Sequence, residues 1–204
     1  MPASFIQLPA DGSGKKADTF QRTKGANTVD TEGVYLDENV LASYTVAAGA
    51  TMATANSHLL QIMAGASLKV RIRRIELYQT TVATTAALIS FGVFRLSTAG
   101  TGGGAVTPAV LDTADAASGA TAMTLPTVKG TEGAQVTTEI IYVLQTAGAS
   151  VSFPMPLMVV DFDRPRSKPL IIAAGTTNGI AIKCQTGSAA ATANITVWFD
   201  ESNF

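Results

Sequence analysis

The chain has 204 residues, with 14 Lys and Arg against 15 Asp and Glu, one His and one Cys. That balance gives no basic field for a nucleic-acid backbone, and a lone Cys forms no intrachain disulfide framework. One His and one Cys also fall short of the three or four protein ligands that zinc takes.

No run approaches the eighteen or so apolar residues of a membrane span. The segment MPASFIQLPA (1–10) has neither the basic nor the apolar region of a secretory signal. The expectation is therefore a protein made in a reducing cytoplasm, with no nucleic-acid partner, no membrane and no cofactor. A net charge of −1 leaves little like-charge repulsion between copies, which favours association.

Residues 1–33 carry Gly12, Gly14, Gly25 and Gly33 among Lys, Asp, Thr and Asn. Their isolated apolar residues are too few for a core. The segment reads as an extended N-terminal arm, with Phe5, Ile6, Leu8 and Phe20 as anchors laid on a neighbouring subunit. Residues 34–204 read as one β-sandwich domain.

Within that domain Leu68, Val70 and Ile72 alternate with Lys69, Arg71 and Arg73, the period of a half-buried strand. Apolar positions resume at Ile75 and Leu77 on the opposite parity. One extra residue at Arg73–Arg74 restores the inward face, which predicts a β-bulge there. Segments 87–96, 139–145, 157–162 and 170–174 are apolar on both parities, so they are expected to be covered on both faces, by the domain or by another subunit.

The stretch from Thr98 to Glu139 is mostly Ala, Gly, Thr and Pro and reads as a long functional or contact-held loop. It contains a flexible glycine run at Gly100–Gly104. Its one helical candidate, Val110 to Ser118, is worth one or two turns at most. Ile180, Ile182 and Cys184 alternate with Ala181, Lys183 and Gln185 as a one-sided strand. In the last strand Ile195, Val197 and Phe199 point one way and Thr196, Trp198 and Asp200 the other, which puts Trp198 on an outer face. Eight to ten strands punctuated by Gly and Pro, with no long helix, argue for an all-β fold: a β-sandwich of jelly-roll or similar topology.

Chemistry is sparse. His58 follows Ser57 with no triad context and reads as a turn or edge residue. Cys184 reads as a buried small hydrophobe. The glycine run lacks the Gly-Lys-Ser/Thr of a phosphate loop. Asp112 with Asp115, and Asp161 with Asp163, lack the calcium-loop pattern and read as solvated loop carboxylates. Asn194–Ile195–Thr196 is a chance sequon without a signal peptide.

Two basic clusters, Lys69/Arg71/Arg73/Arg74 and Arg164/Arg166/Lys168, have no interleaved aromatics for base stacking. They read either as a solvated face or as partners for acidic groups across a subunit contact. Trp198 reads either as a binding hot spot or as a residue covered by a loop of its own chain. Arg71, Arg73, Arg74 and Trp198 therefore join the four arm residues as candidate protein-interface positions. No acid, base and nucleophile gather, so the reading is non-enzymatic.

Five segments carry a resemblance: RIRRIELYQTT (71–81), FRLSTAGTGGGAVTPAVLDTADAASGATAMTLPT (94–127), KGTEG (129–133), PLIIAAGTTNGIAIKC (169–184), and NITVWFDE (194–201). With their Ala/Gly/Thr/Ser texture they resemble virion structural proteins of tailed bacteriophages, notably small β-sandwich decoration or cement proteins of the capsid. The resemblance covers roughly residues 40–200. It implies a virion-located, non-enzymatic homo-oligomer, often a trimer, that binds the major capsid protein or other virion proteins. The rival readings are a tail, neck or head-fibre component, and a carbohydrate- or receptor-binding sandwich.

Overall fold

The computed structural model describes residues 19–24, 27–32, 41–83, 88–143, 155–163, 169–187 and 191–202, the first two stretches as backbone alone. The chain divides into two compact units, Met1–Val40 and Leu41–Phe204. In the first, β1 (Thr19–Lys24) and β2 (Asn27–Glu32) pair antiparallel from Thr19↔Glu32 to Lys24↔Asn27. Part of the segment expected to be a plain extended arm is thus a β-hairpin. Phe20 lies in β1, while Phe5, Ile6 and Leu8 fall outside the described residues.

The second unit opens with four strands in succession: β3 (Ala42–Thr51), β4 (Ser57–Met63), β5 (Lys69–Gln79) and β6 (Leu88–Leu96). The long Ala/Gly/Thr stretch supplies β7 (Gly104–Val106), β8 (Ala109–Val110), β9 (Thr121–Thr124) and β10 (Glu132–Gln135). Then come β11 (Ile140–Val143), β12 (Met155–Asp161), β13 (Leu170–Ile172), β14 (Gly179–Cys184) and β15 (Thr192–Ser202). More strands form than the apolar periodicity predicts, because β7 to β9 pair through backbone groups with few large side chains. No helix occurs among the described residues, and 111–115 is bends and turns.

The described strands of this unit pair antiparallel, in two sheets. One runs β12-β5-β15-β3-β8 with β13 also on β5. The other runs β10-β6-β14-β4-β9-β7 with β11 also on β6. Count β3, β4, β5, β6, the broken strand β10/β11, β12, β14 and β15 as eight successive strands. The first, eighth, third and sixth then lie side by side in one sheet, and the second, seventh, fourth and fifth in the other. That is jelly-roll order.

Both sheets give their inner rows to one core. Tyr44, Val46, Ile72, Ile75, Leu77, Ile195, Val197 and Phe199 come from one side, and Leu60, Ile62, Ile89, Phe91, Val93, Ile180 and Ile182 from the other. Phe199 stacks on Tyr44 with ring centroids 5.4 Å apart.

The predicted bulge is present. Trp198 pairs with Arg74 but Phe199 with Ile72, so Arg73 is the extra residue on β5. A second bulge at Leu59 lies between Leu60↔Ile182 and His58↔Lys183. The strands with apolar residues on both parities divide. Residues Ile89 to Phe94 of β6 are buried throughout, whereas Leu88, Ile141, Val143 and Val159 stay exposed. Nor is β14 one-sided, because Ala181 packs on Met63 and Leu96 in a small cluster of its own.

Phe199 is fully buried at the junction of both sheets. Phe199→Ala should lower unfolding free energy by about 3–5 kcal/mol, measured as a shift in urea midpoint at constant m-value.

Candidate functional site

The outer face of the β12-β5-β15-β3 sheet gathers Arg71, Arg73, Arg74 and Trp198. Arg71 and Trp198 leave the core by plain alternation along β5 and β15, and the Arg73 bulge brings Arg74 to the same side. Opposite them Asp200, on the outward row of β15, is fully buried and not solvated. Its Oδ2 accepts Arg71 Nε–H at 2.8 Å and Nη2–H at 2.6 Å, and its Oδ1 accepts the Ser43 hydroxyl at 2.9 Å. Arg73 Nε lies 3.3 Å from Asp200 and 3.4 Å from Asp163, and Arg74 pairs with Glu76.

The basic row therefore meets acidic partners within its own chain. Arg74 also sits 5.9 Å from the centroid of the half-buried Trp198 ring. A groove of about 450 Å³ lies between Arg73, Arg74, Glu76, Asp161, Asp163 and Trp198. The second basic cluster, at 164, 166 and 168, falls outside the described residues.

The outer face of the other sheet holds the remaining titratable chemistry. His58 is neither turn nor edge: it lies in β4, fully buried, opposite Lys183. Gly100 N–H donates to Gln61 Oε1 at 2.8 Å, which turns the Gln61 amide toward His58 Nδ1 at 2.5 Å. Nδ1 thus accepts, and Nε2–H donates to Glu132 Oε1 at 2.9 Å. Glu132 also receives Lys129 at 3.0 Å and Lys183 at 2.8 Å, and the Lys183 ammonium lies 4.8 Å from the Phe94 ring centroid.

Burial pushes the His58 pKa down against the pull of Glu132. Burial also raises the Glu132 carboxyl, but hydrogen bonds from Lys183, Lys129 and His58 outweigh it and bring the carboxyl to about 2. With both ring nitrogens engaged, His58 is a neutral strut tying β4, β10 and the 98–104 loop together. The glycine run is accordingly packed, not flexible: a Cβ on Gly100 would come 2.7 Å from the Val128 carbonyl oxygen.

A second buried carboxylate, Glu201, accepts Ser118 Oγ–H at 2.5 Å, Ala120 N–H at 2.8 Å and Gly119 N–H at 2.9 Å. With Tyr44 Oη–H donating to the Ala116 carbonyl, it fixes the segment read as a short helix. Cys184 is buried, and burial raises its thiol to about 11, an unreactive state. Asp112 and Asp161 accept the backbone N–H groups of Ala114 and Asp163, so each closes a local turn. Among the described residues no three His, Cys, Asp or Glu side chains converge to hold a metal ion.

Asp200, Glu132, Gln61 and Glu201 were not singled out from sequence. Glu201 was findable, since it continues the inward row of Ile195, Val197 and Phe199. Glu132 was not, because its partners come from 3, 51 and 74 residues away. Comparison with protein-family models, curated proteins and solved structures gave no match.

Acidification should weaken the fold in two steps. The folded His58 binds its proton less readily than the unfolded one, so stability is full above the ordinary imidazole value of 6.5 and falls as pH drops through it. Glu132 adds a second loss from its ordinary 4.5 down to about 2, on the order of 2–3 kcal/mol. Urea midpoints against pH should show both, with the upper step missing in His58→Gln. Separately, Asp200→Ala removes the carboxylate that Arg71, Arg73 and Ser43 share and should cost about 3 kcal/mol in the same assay at neutral pH.

Proposed function

We propose that this chain is a non-enzymatic structural subunit of a tailed-phage virion, a decoration or cement protein bound to the capsid. The observation that carries the reading is the contrast between the polar groups and the apolar edge. Asp200, Glu132, Glu201 and His58 all take part in internal bonds. Leu88, Ile141 and Val143, by contrast, stand 58–66% exposed at one sheet edge. Chemistry of this kind holds a body rigid and leaves apolar surface for protein contact. The sequence texture shared with phage decoration proteins supplies the class of assembly.

On this reading no bond is made or broken. The sandwich self-associates, and the N-terminal segment pins it to neighbouring shell subunits through Phe5, Ile6, Leu8 and Phe20. Each anchor contributes on the order of 1.5–3 kcal/mol, and repetition over a lattice multiplies modest contacts. A second reading is favoured by the groove at Trp198, where an indole stands beside Arg74, Asp161 and Asp163. Planar polar groups flanking an aromatic ring suit a carbohydrate or a receptor surface.

Cryo-EM of virions whose genome encodes the chain should show it as regular density on the head. Protein beginning at residue 34 should keep fold and oligomer yet fail to decorate heads. Density at the tail or neck would move it there, and absence from the particle would overturn the reading.

A further inference from the structure

The open edge of β11 offers more than apolar surface, because it also turns backbone groups outward. Ser90 directs both main-chain groups toward the β14 side: its N–H donates to Thr186 Oγ1 at 2.8 Å, and its carbonyl accepts Gln185 N–H at 2.8 Å. Its neighbours Ile89 and Phe91 therefore face β11, as Val93 faces the same side by accepting Val136 N–H at 2.7 Å. In the register Ile140↔Phe91, Ile141↔Ser90, Tyr142↔Ile89 and Val143↔Leu88, Ile140 and Tyr142 exchange hydrogen bonds with β6. Antiparallel alternation then turns the N–H and C=O of Ile141 and Val143 outward. Among the described residues no strand pairs on that side.

The side chains fit the same picture. Ile141, Val143 and Leu88 are 62%, 58% and 66% exposed and share one face. Residues 140–143 contain no charge and no proline, the devices that usually guard an edge.

We infer that β11 pairs antiparallel with β11 of a second copy of this chain, about a two-fold axis at Tyr142. This register sets Ile141 opposite Val143 of the copy at both ends and satisfies all eight outward groups of the two strands in four hydrogen bonds. Only the uncharged Tyr142 meets its own equivalent, so no like charges oppose. Leu88, Ile141 and Val143 of both copies merge into one apolar strip. A strongly charged foreign strand would find no counter-charge on residues 140–143, whereas a copy of the same strand is self-complementary. An isologous contact closes after two copies, so the edge is consumed instead of propagating into a fibre. The inference stands on the edge alone, and it holds whether or not the chain belongs to a virion.

The test uses the full chain in size-exclusion chromatography with light scattering. Wild type should run at an even multiple of 21.0 kDa. Ile141→Pro removes only an outward-facing N–H, and Val143→Lys charges an exposed position. Each should halve the mass while leaving circular dichroism unchanged. Tyr142→Cys should cross-link to itself on mild oxidation, since facing residues of a non-hydrogen-bonded pair bring their Cβ atoms close. Val159→Cys, exposed on the other sheet, should not. A wild-type monomer would overturn the inference. So would an oligomer that Ile141→Pro and Val143→Lys leave intact and Tyr142→Cys fails to cross-link.

Discussion

Much of this structure depends on one inserted residue. β5 is the strand that β15, β12 and β13 all pair with, and its apolar residues change parity between Ile72 and Ile75. A regular strand would turn one half of that set toward solvent. The bulge at Arg73 absorbs the mismatch, so Val70, Ile72, Ile75 and Leu77 all enter the core. The same kink brings Arg71, Arg73 and Arg74 onto one outer surface. A single backbone irregularity thus completes the core and assembles the charged face beside Trp198.

The polar interior follows a related logic. A carboxylate removed from water must be compensated by several donors. Glu132 is met by His58, Lys129 and Lys183, Asp200 by Arg71, Arg73 and Ser43, and Glu201 by Ser118, Gly119 and Ala120. Glu132 and Glu201 each tie a strand to part of the long Ala/Gly/Thr segment. That segment has few large side chains to bury, so hydrogen bonds and close backbone approach hold it where apolar contacts would otherwise be needed. The glycine at position 100 belongs to this arrangement, as it lets the loop lie against Gln61 and Val128.

Such an interior leaves little chemistry over. His58, the one imidazole, spends both nitrogens on structure, and Cys184 spends its thiol on burial. Among the described residues the body presents outward a groove beside Trp198 and an uncharged strand edge. A net charge of −1 gives little like-charge repulsion between copies.

Particular residues show how far the sequence reaches. Period-two alternation in 195–199 placed Phe199 inside and Trp198 outside, and the parity break at 73–74 located the bulge. Both are local consequences of strand geometry, legible because one face of a strand meets oil and the other water. The all-β class followed from the same pattern. Strands β7 to β9, the hairpin at 19–32, the burial of His58 and the pairing of Asp200 were not legible. They depend on backbone or side-chain partners brought together by the fold, Arg71 and Asp200 being 129 residues apart. Strand periodicity alone says which residues seek the core. The fold says which polar groups meet and which edge is open among the described residues, because hydrogen bonds need a partner at a definite distance and direction while burial needs only a dry side.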